Sequence, residues 1–341
     1  MRKLRVHVLM HEDFVPPANL GGYEATQIST WKTEFDVLTG LGNLGHDARP
    51  LGVQNDLGVI RSALSEFRPH VVFNLLEEFH GVSLYDQHVI SYLELLRQPY
   101  TGCNPRGLML SHDKALSKKL LMYHRIPVPR FQVFQQGRKI QRVKRLEFPV
   151  LVKSMTEHAS MGIAQASVVN SDDKLAERVR FIHEQIGTDA IAEQYIDGRE
   201  MYVCVLGNQR LQTLPLMELE FGNMPDSSHR IATEKLKRDV EYQKKLGVKL
   251  SHPSDVPAEL ERQMVSLSKR VYRTLGLSGY ARMDFRVSPE GRPFLLEANA
   301  NADVAYGEEL AEAAELVGVS YEALLQRILS LGLSYRPLWR G

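Results

Sequence analysis

Cysteine is nearly absent from this chain: Cys103 and Cys204 are the two among 341 residues. They lie far apart in apolar surroundings, which excludes a disulfide framework and a thiolate zinc site. A reducing cytoplasm is the expected setting. An excess of either charge is missing too, since 42 Lys and Arg oppose 41 Asp and Glu for a net charge of +1. No global field then draws in nucleic acid or an acidic membrane, and any anion site must be local. No run reaches the ~18 apolar residues of a membrane span, and the opening MRKLRVHVLMHED turns charged too early for a secretory signal. Internal repeats, low-complexity segments and a GK[ST] phosphate loop are lacking as well. What remains is an ordinary globular composition, 43% hydrophobic and 24% charged, long enough for two or three domains.

The most informative stretch is residues 281–301, ARMDFRVSPEGRPFLLEANAN. Two alternating runs flank a Pro289-Glu290-Gly291 turn signal, which predicts a β-hairpin. Ala281, Met283, Phe285 and Val287 take one face, and Arg282, Asp284 and Arg286 the other. In the return strand Phe294, Leu296 and Ala298 share a face opposite Leu295, Glu297 and Asn299. With a loop over residues 289–292, Asp284 lies across from Glu297, and Asn299 follows on the same side. Facing carboxylates repel and weaken a sheet unless a cation sits between them. Two carboxylates and an amide are hard oxygen ligands of the kind that hold magnesium beside a polyphosphate. Arg282 adds a fixed positive fork for an anion.

The first hundred residues alternate strand and helix. Residues 4–10 (LRVHVLM) predict a first strand, 31–44 a helix, 56–67 a second helix and 70–76 (HVVFNLL) a doubly buried parallel strand. A third helix is expected over 83–96 and a short strand over 99–103. This rhythm implies an open parallel sheet whose ligands sit beyond the carboxyl ends of its strands. The loops at 11–29 and 77–81, with His11, Glu24, Glu78 and His80, emerge at that edge and are candidates for contacting a small substrate.

Beyond residue 110, Ser111 is a plausible helix N-cap and Leu116, Leu120 and Tyr123 a plausible buried stripe of the helix carrying Lys114. Residues 148–153 (FPVLVK) predict a strand with Val150 and Val152 facing one way and Leu151 and Lys153 the other. The small, polar residues 154–162 (SMTEHASMG) suit a flexible lid over phosphates. In AIAEQYIDGREMYVCV, Glu193 and Glu200 flank an Asp197-Gly198 turn. The charged segment 221–257, including ATEKLKRDVEYQKK, is a candidate flap offering Lys235 or Lys237 to a phosphate, with Lys235 preferred.

Taken in order, Lys114, Lys153 with its loop, EQYIDGRE, ARMDF and LLEANAN resemble the ATP-grasp superfamily, within it the branch of the D-alanine–D-alanine ligases. The segment ELLRQPYTGCNPRGLMLSHDK is similar as well, and the likeness covers roughly residues 70–330. It implies an α/β fold: a Rossmann-like, open parallel N-terminal domain (1–103), then an ATP-grasp fold of α+β character in two subdomains (104–188 and 189–341). It implies ATP held at its phosphates by Lys114 and Lys153, at adenine by Glu193 and the backbone of Gln194 to Ile196, and at the ribose by Glu200. Ser160 and Gly162 would cap the transferred phosphate, and Asp284, Glu297 and Asn299 would hold two magnesium (or manganese) ions. Arg282 would sit on a tetrahedral intermediate, with Lys235 at the γ-phosphate. The implied reaction joins a small carboxylate to an amine through an acylphosphate, in a cytoplasmic homodimer.

The chain departs from that family where the first strand should be followed by GG-x-S-x-E; it has HEDFVPPANLGGYEATQIS. The phosphate-capping positions read His158, Ala159, Ser160. After Asn299, in place of a Pro-Gly turn and the serine and leucine that receive the acceptor carboxylate, stand Asn301-Ala302-Asp303 and Tyr306-Gly307-Glu308-Glu309. Carboxylates there repel an acceptor carboxylate, so an acceptor other than D-alanine, amine-rich or lacking that group, is expected. A ligase acting on a peptide or protein terminus, and an ATP-binding protein without ligase turnover, are the alternative readings.

Overall fold

Strand β1 (Arg5–His11) runs parallel to β2 (Asp47–Val53) on one side and β3 (Val71–Asn74) on the other, with Tyr100 bridging onto β3. In this computed structural model residues 3–19, 21–157, 160–225 and 228–337 are described. The crossovers are α1 (Ala25–Asn43) and α2 (Leu57–Phe67), so the expected open parallel sheet is formed. Asp56 caps α2, its carboxylate accepting from the Gly58 amide at 2.7 Å. Helix α1 starts at residue 25, six before the apolar spacing predicts, so the loop expected to reach residue 29 ends at Glu24. The Gln27 side chain accepts from the Glu24 amide at 3.0 Å, a local bond invisible to periodicity. α3 (Asp86–Leu95) follows a short 3-10 turn at Ser83–Tyr85.

Two helices, α4 (Pro105–His112) and α5 (Lys114–Tyr123), then meet at Asp113. Ser111 is not the cap: its hydroxyl donates to Leu108 within α4, and Asp113 accepts from the amides of Ala115 and Leu116 at 3.0 and 2.8 Å. Two members of the expected stripe on α5 are turned outward, Leu116 42% and Tyr123 83% exposed, while Leu120 packs partly buried against the core. The buried face of the helix is Lys114, Ala115, Ser117, Lys118 and Leu121. That reversal carries two lysines into the interior.

A four-stranded sheet of order β4-β7-β5-β6 follows, made of β4 (Phe131–Phe134), β5 (Val150–Ser154), β6 (Val168–Val169) and β7 (Ala190–Gln194), with α6 (Asp172–Phe181) against it. Val150 and Val152 enter its core with Val179 and Ile182, leaving Leu151 and Lys153 on the other face. The packing differs from the expected boundaries at 103 and 188. Leu108, Leu110 and Leu121 belong to the core under the hairpin, and β7 extends the central sheet to Gln194.

The last sheet is antiparallel, of order β11-β10-β8-β12-β13 with β9 beside β8. Its strands are β8 (Arg199–Leu206), β9 (Gln212–Thr213), β10 (Met217–Phe221), β11 (Val248–Ser251), β12 (Tyr280–Val287) and β13 (Pro293–Asn299). Between β10 and β11 lie α7 (Glu234–Arg238) and α8 (Val240–Leu246), and α9 (Ala258–Thr274) buries Met264, Leu267 and Val271 against the sheet. The closing helices α10 (Glu309–Glu315) and α11 (Tyr321–Ser334) share a core with β1 and β3, which ties the chain's end to its beginning. Among the described residues no helix is long and apolar enough to cross a membrane.

Candidate active site

The hairpin is present, and Asp284 pairs directly with Glu297 while Arg282 pairs with Asn299. One feature departs from strict alternation. The register shifts after Asp284, so that Phe285 faces Leu295 and Leu296 is left over as a bulge. Leu295 and Ala298 therefore enter the core, while Leu296 turns toward the cleft instead of sharing Ala298's face. β12 lies between β8 and β13 and is buried along its length, which removes water from Asp284, while Glu297 on β13 is partly buried.

A cleft of about 890 Å³, its mouth included, runs between the central sheet and this hairpin. Of the residues singled out in the sequence, Lys114, Lys153, Ser160, Glu193, Gln194 and Ile196 line it, as do Glu200, Asp284 and Glu297. Gly162, Arg282, Asn299 and Lys235 stand outside its lining. Lys235 and Lys237 are both exposed; the Lys235 ammonium lies over the Tyr242 ring at 4.6 Å, whereas Lys237 lines the cleft. Asn299 accepts from the Asn301 amide at 2.9 Å. His158 and Ala159, the remainder of the capping triplet, lie outside the described residues.

Electrostatics organise the cleft floor. Glu193 is 1% exposed and sits between two lysines, with Lys118 Nζ 3.4 Å from one oxygen and Lys153 Nζ 3.3 Å from the other. Burial pulls the Lys118 ammonium down to about 8, against the attraction of Glu193. Burial acts on Lys153 in the same direction, but Glu193 and Glu297 outweigh it and leave its pKa raised. Lys114 is lowered by burial and donates to the Glu157 carbonyl at 2.6 Å. Lys118 donates to the carbonyl of the bulged Leu296. The sequence reading missed Lys118. Its signal was there, four residues after Lys114 on the same helical face.

At the hairpin, Arg282 grips Asp284 with two bonds of 2.7 and 2.9 Å, reaches Glu309 at 2.7 Å, and lies 4.8 Å from the Tyr202 ring centre. Burial pushes Asp284 up, to about 6, while Arg282 opposes the shift. Burial also pushes Glu309 up, but Arg282 and Lys237 leave it lowered. Arg286, on the same strand face, pairs with Glu200 at 3.1 Å and donates to the Gly198 carbonyl at 2.9 Å. Tyr202 donates to Glu200 at 2.9 Å. Gly198 has φ +136°, and a Cβ there would stand 2.0 Å from the Val287 carbonyl oxygen, so the turn that carries the chain from Glu193 in the central sheet to Glu200 in the last sheet accepts no side chain.

The lid loop touches the flap. The Gly162 amide donates to the Glu234 carboxylate at 2.8 Å, and the Glu234 amide donates to Ile163 at 2.9 Å. A carboxylate thus occupies an amide that could face a phosphate oxygen. Asp284 and Glu297 suit a magnesium ion, since they are two hard oxygen donors directly opposed on the ladder, and nucleotide phosphates would supply further oxygen ligands. Among the described residues no three carboxylates, imidazoles or thiolates form a ready-made cage.

The edge of the parallel sheet carries a second cavity of about 660 Å³, mouth included. His11 and Glu78 line it as the sequence reading anticipates; Glu24 and His80 do not.

The family profile described as D-ala D-ala ligase C-terminus matches residues 120–330. An uncharacterized protein, y4sG, of Sinorhizobium fredii is 31% identical over 307 residues, covering 86% of this chain and 85% of its own. The D-alanine–D-alanine ligase of Bordetella pertussis is 32% identical over 254 residues, covering 74% and 75%. Among solved structures, that of the D-alanine–D-alanine ligase from Bacillus anthracis complexed with ATP superposes with a TM-score of 0.75 at 22% identity, over 97% of both chains. With the profile spanning more than half of it and these relatives most of it, the chain belongs to the D-alanine–D-alanine ligase family of ATP-grasp proteins.

Proposed function

We propose that the protein is an ADP-forming ligase that joins a small carboxylic acid to an amine. The observation that carries this reading is the convergence of Lys114, Lys153, Asp284 and Glu297 on one cleft. Phosphoryl transfer needs positioned charge on the moving group and little covalent help from the protein. Lys114 and Lys153 come from different elements and would hold the ATP phosphates. The backbone around Gln194 to Ile196 and the Glu193 carboxylate would face adenine, and Glu200, oriented by Arg286 and Tyr202, the ribose. Asp284, Glu297 and Asn299 would hold magnesium, in two ions by the family resemblance, and bound magnesium neutralises charge on the phosphates. The donor carboxylate attacks the γ-phosphorus, ADP leaves, and an acylphosphate forms. The amine then attacks the acyl carbon, the bond to phosphate breaks, and an amide results. Ser160 would cap the transferred phosphate, joined by Gly162 once its amide releases the Glu234 carboxylate, and Arg282 would face the tetrahedral intermediate. Since an acylphosphate hydrolyses readily, the lid loop and the α7 flap must close out water.

The test is ADP release from ATP and magnesium with paired amino acids and amines, run with and without hydroxylamine. The expected result is ADP release that depends on a carboxylate, with a hydroxamate trapped in its place when hydroxylamine substitutes for the amine. Absence of both across the panel would overturn the reading. For the flap, Lys237 is proposed at the γ-phosphate, since it lines the cleft and Lys235 lies on Tyr242. Lys237→Ala should slow ADP release by about 10²-fold, the scale of one lost charge-stabilising group, and Lys235→Ala by less than about threefold. The reverse ranking in initial-rate measurements would reassign the role. Two buried thiols, Cys103 and Cys204, suit a reducing cytoplasm, and a homodimer through the N-terminal layer completes the reading by family resemblance.

A further inference from the structure

The second cavity opens at the carboxyl ends of β1 and β3, where α1 and the segment after Asn299 close it. Its walls bring together Glu34, Glu77, Glu78 and Asp303, with Thr33 and His11 among them. These carboxylates have little to neutralise them. Glu78 has His11 at 3.4 Å, but that imidazole also faces Asp13 at 3.6 Å. Asp303 accepts from the Thr33 hydroxyl at 2.9 Å and the Ala305 amide at 2.8 Å, both uncharged donors. Lys32 is engaged by Asp36 at 3.3 Å and by the Tyr306 carbonyl.

Glu34 is the decisive group. It stands on α1, lines the cavity while only 7% exposed, and among the described residues no side chain of another residue bonds or pairs with it. Burial, and then Asp303 and Glu77, push its carboxyl up to about 7. Glu77 stands exposed at the open side, where Asp303 repels its charge and Lys237 attracts it. A buried carboxylate without a counter-ion is costly and is kept where a ligand supplies the missing charge. Glu78 faces His11 and Glu77 feels the charge of Lys237, which leaves Glu34 and Asp303 without a cation. One ammonium group cannot balance both carboxylates, and a ligand bearing its own carboxylate beside a lone amine would be repelled by them.

We infer that this cavity takes a doubly cationic amine, a diamine or a diamino acid, with one basic nitrogen held by Glu34 and the other presented for acylation. The inference rests on the ligase reading for the fate of the second nitrogen, though not for binding itself. The position agrees with the rest of the site. Lys237 bears on both Glu77 and Glu309, and Arg282 spans Asp284 and Glu309, so the cavity and the nucleotide cleft meet across these two cations.

Isothermal titration of the full chain with magnesium and ADP tests it, using ornithine, 1,4-diaminobutane and D-alanine as probes. The expected result is that ornithine or diaminobutane binds at least about tenfold more tightly than D-alanine, and that Glu34→Gln weakens that binding by about 30-fold or more, the scale of losing one partner of a buried charge pair. Affinity for magnesium–ADP should change less than about twofold in Glu34→Gln, because the two cavities have separate linings. Should Glu34→Gln fail to fold, Glu77→Gln at the open side supplies the same comparison. D-alanine binding as tightly as both diamines, or wild-type diamine affinity in the folded variant, would overturn the inference. Tight diamine binding lost in Glu34→Gln without ADP release in any pairing supports it and overturns the ligase reading. ADP release with monoamines alone, unchanged in Glu34→Gln, does the opposite.

Discussion

Glu297→Gln should lower the rate of ADP release by about 10²-fold or more, the scale of removing one charge-stabilising group from a transition state, with the fold intact. Glu297 faces Asp284 across the ladder, and facing carboxylates weaken a sheet. Their placement makes sense when a divalent cation sits between them. An amide oxygen is a weaker donor to a hard cation, so the variant loses charge at the metal while keeping shape. Circular-dichroism melts should then nearly overlay those of the wild type, and initial rates at saturating magnesium should collapse. Wild-type turnover in Glu297→Gln would remove it from the site. Asp284→Asn should be as damaging to turnover but harder on stability, because Arg282 loses one of its two bonds there and the charge behind them, with an amide NH2 now facing the guanidinium.

The second large effect is on stability. Glu193→Gln should cost about 3–5 kcal/mol, the range for removing one partner of a buried ion pair. Glu193, Lys118 and Lys153 are all buried, and the glutamate is the shared anion of both lysines. Without it two ammonium groups face each other in a dry cleft, and burial already drags Lys118 down to about 8. Denaturant titration should show a lower midpoint at an unchanged slope. Replacing Lys118 by Met in the same chain should recover part of the loss, since one uncompensated cation is then removed. A variant as stable as the wild type would mean that the cleft admits enough water to solvate both lysines.

How much of this was legible beforehand varies by element, and the reason is physical. The parallel sheet and the hairpin announce themselves through period, because a residue's partner on the same strand face is two positions away in the chain. The pairing of Asp284 with Glu297 followed from a loop length alone. The α5 helix was misread for the complementary reason. Leu116, Leu120 and Tyr123 are the apolar choice for a buried stripe, yet the buried face holds Lys114 and Lys118. Helical spacing says which residues share a face, but not which face a distant segment covers. Here the Glu157 and Leu296 carbonyls and the Glu193 carboxylate satisfy the lysines, and all three come from other elements. The bulge at Leu296 was likewise hidden, since alternating patterns carry no mark of one extra residue. The acidic cavity shows the same limit at larger scale: Glu34, Glu77 and Asp303 are scattered along the chain and become neighbours through the sheet edge and the return of the last helices.

By itself, the order of residues determined the alternation of strand and helix, the hairpin with its opposed acids, and the family to which those features are similar. Tertiary structure alone decided which lysines turn inward, where the ladder slips by a residue, and which carboxylates are left without a counter-ion. Local periodicity is written in neighbours a few positions apart, whereas burial and charge balance depend on groups that the chain brings together from far along its length.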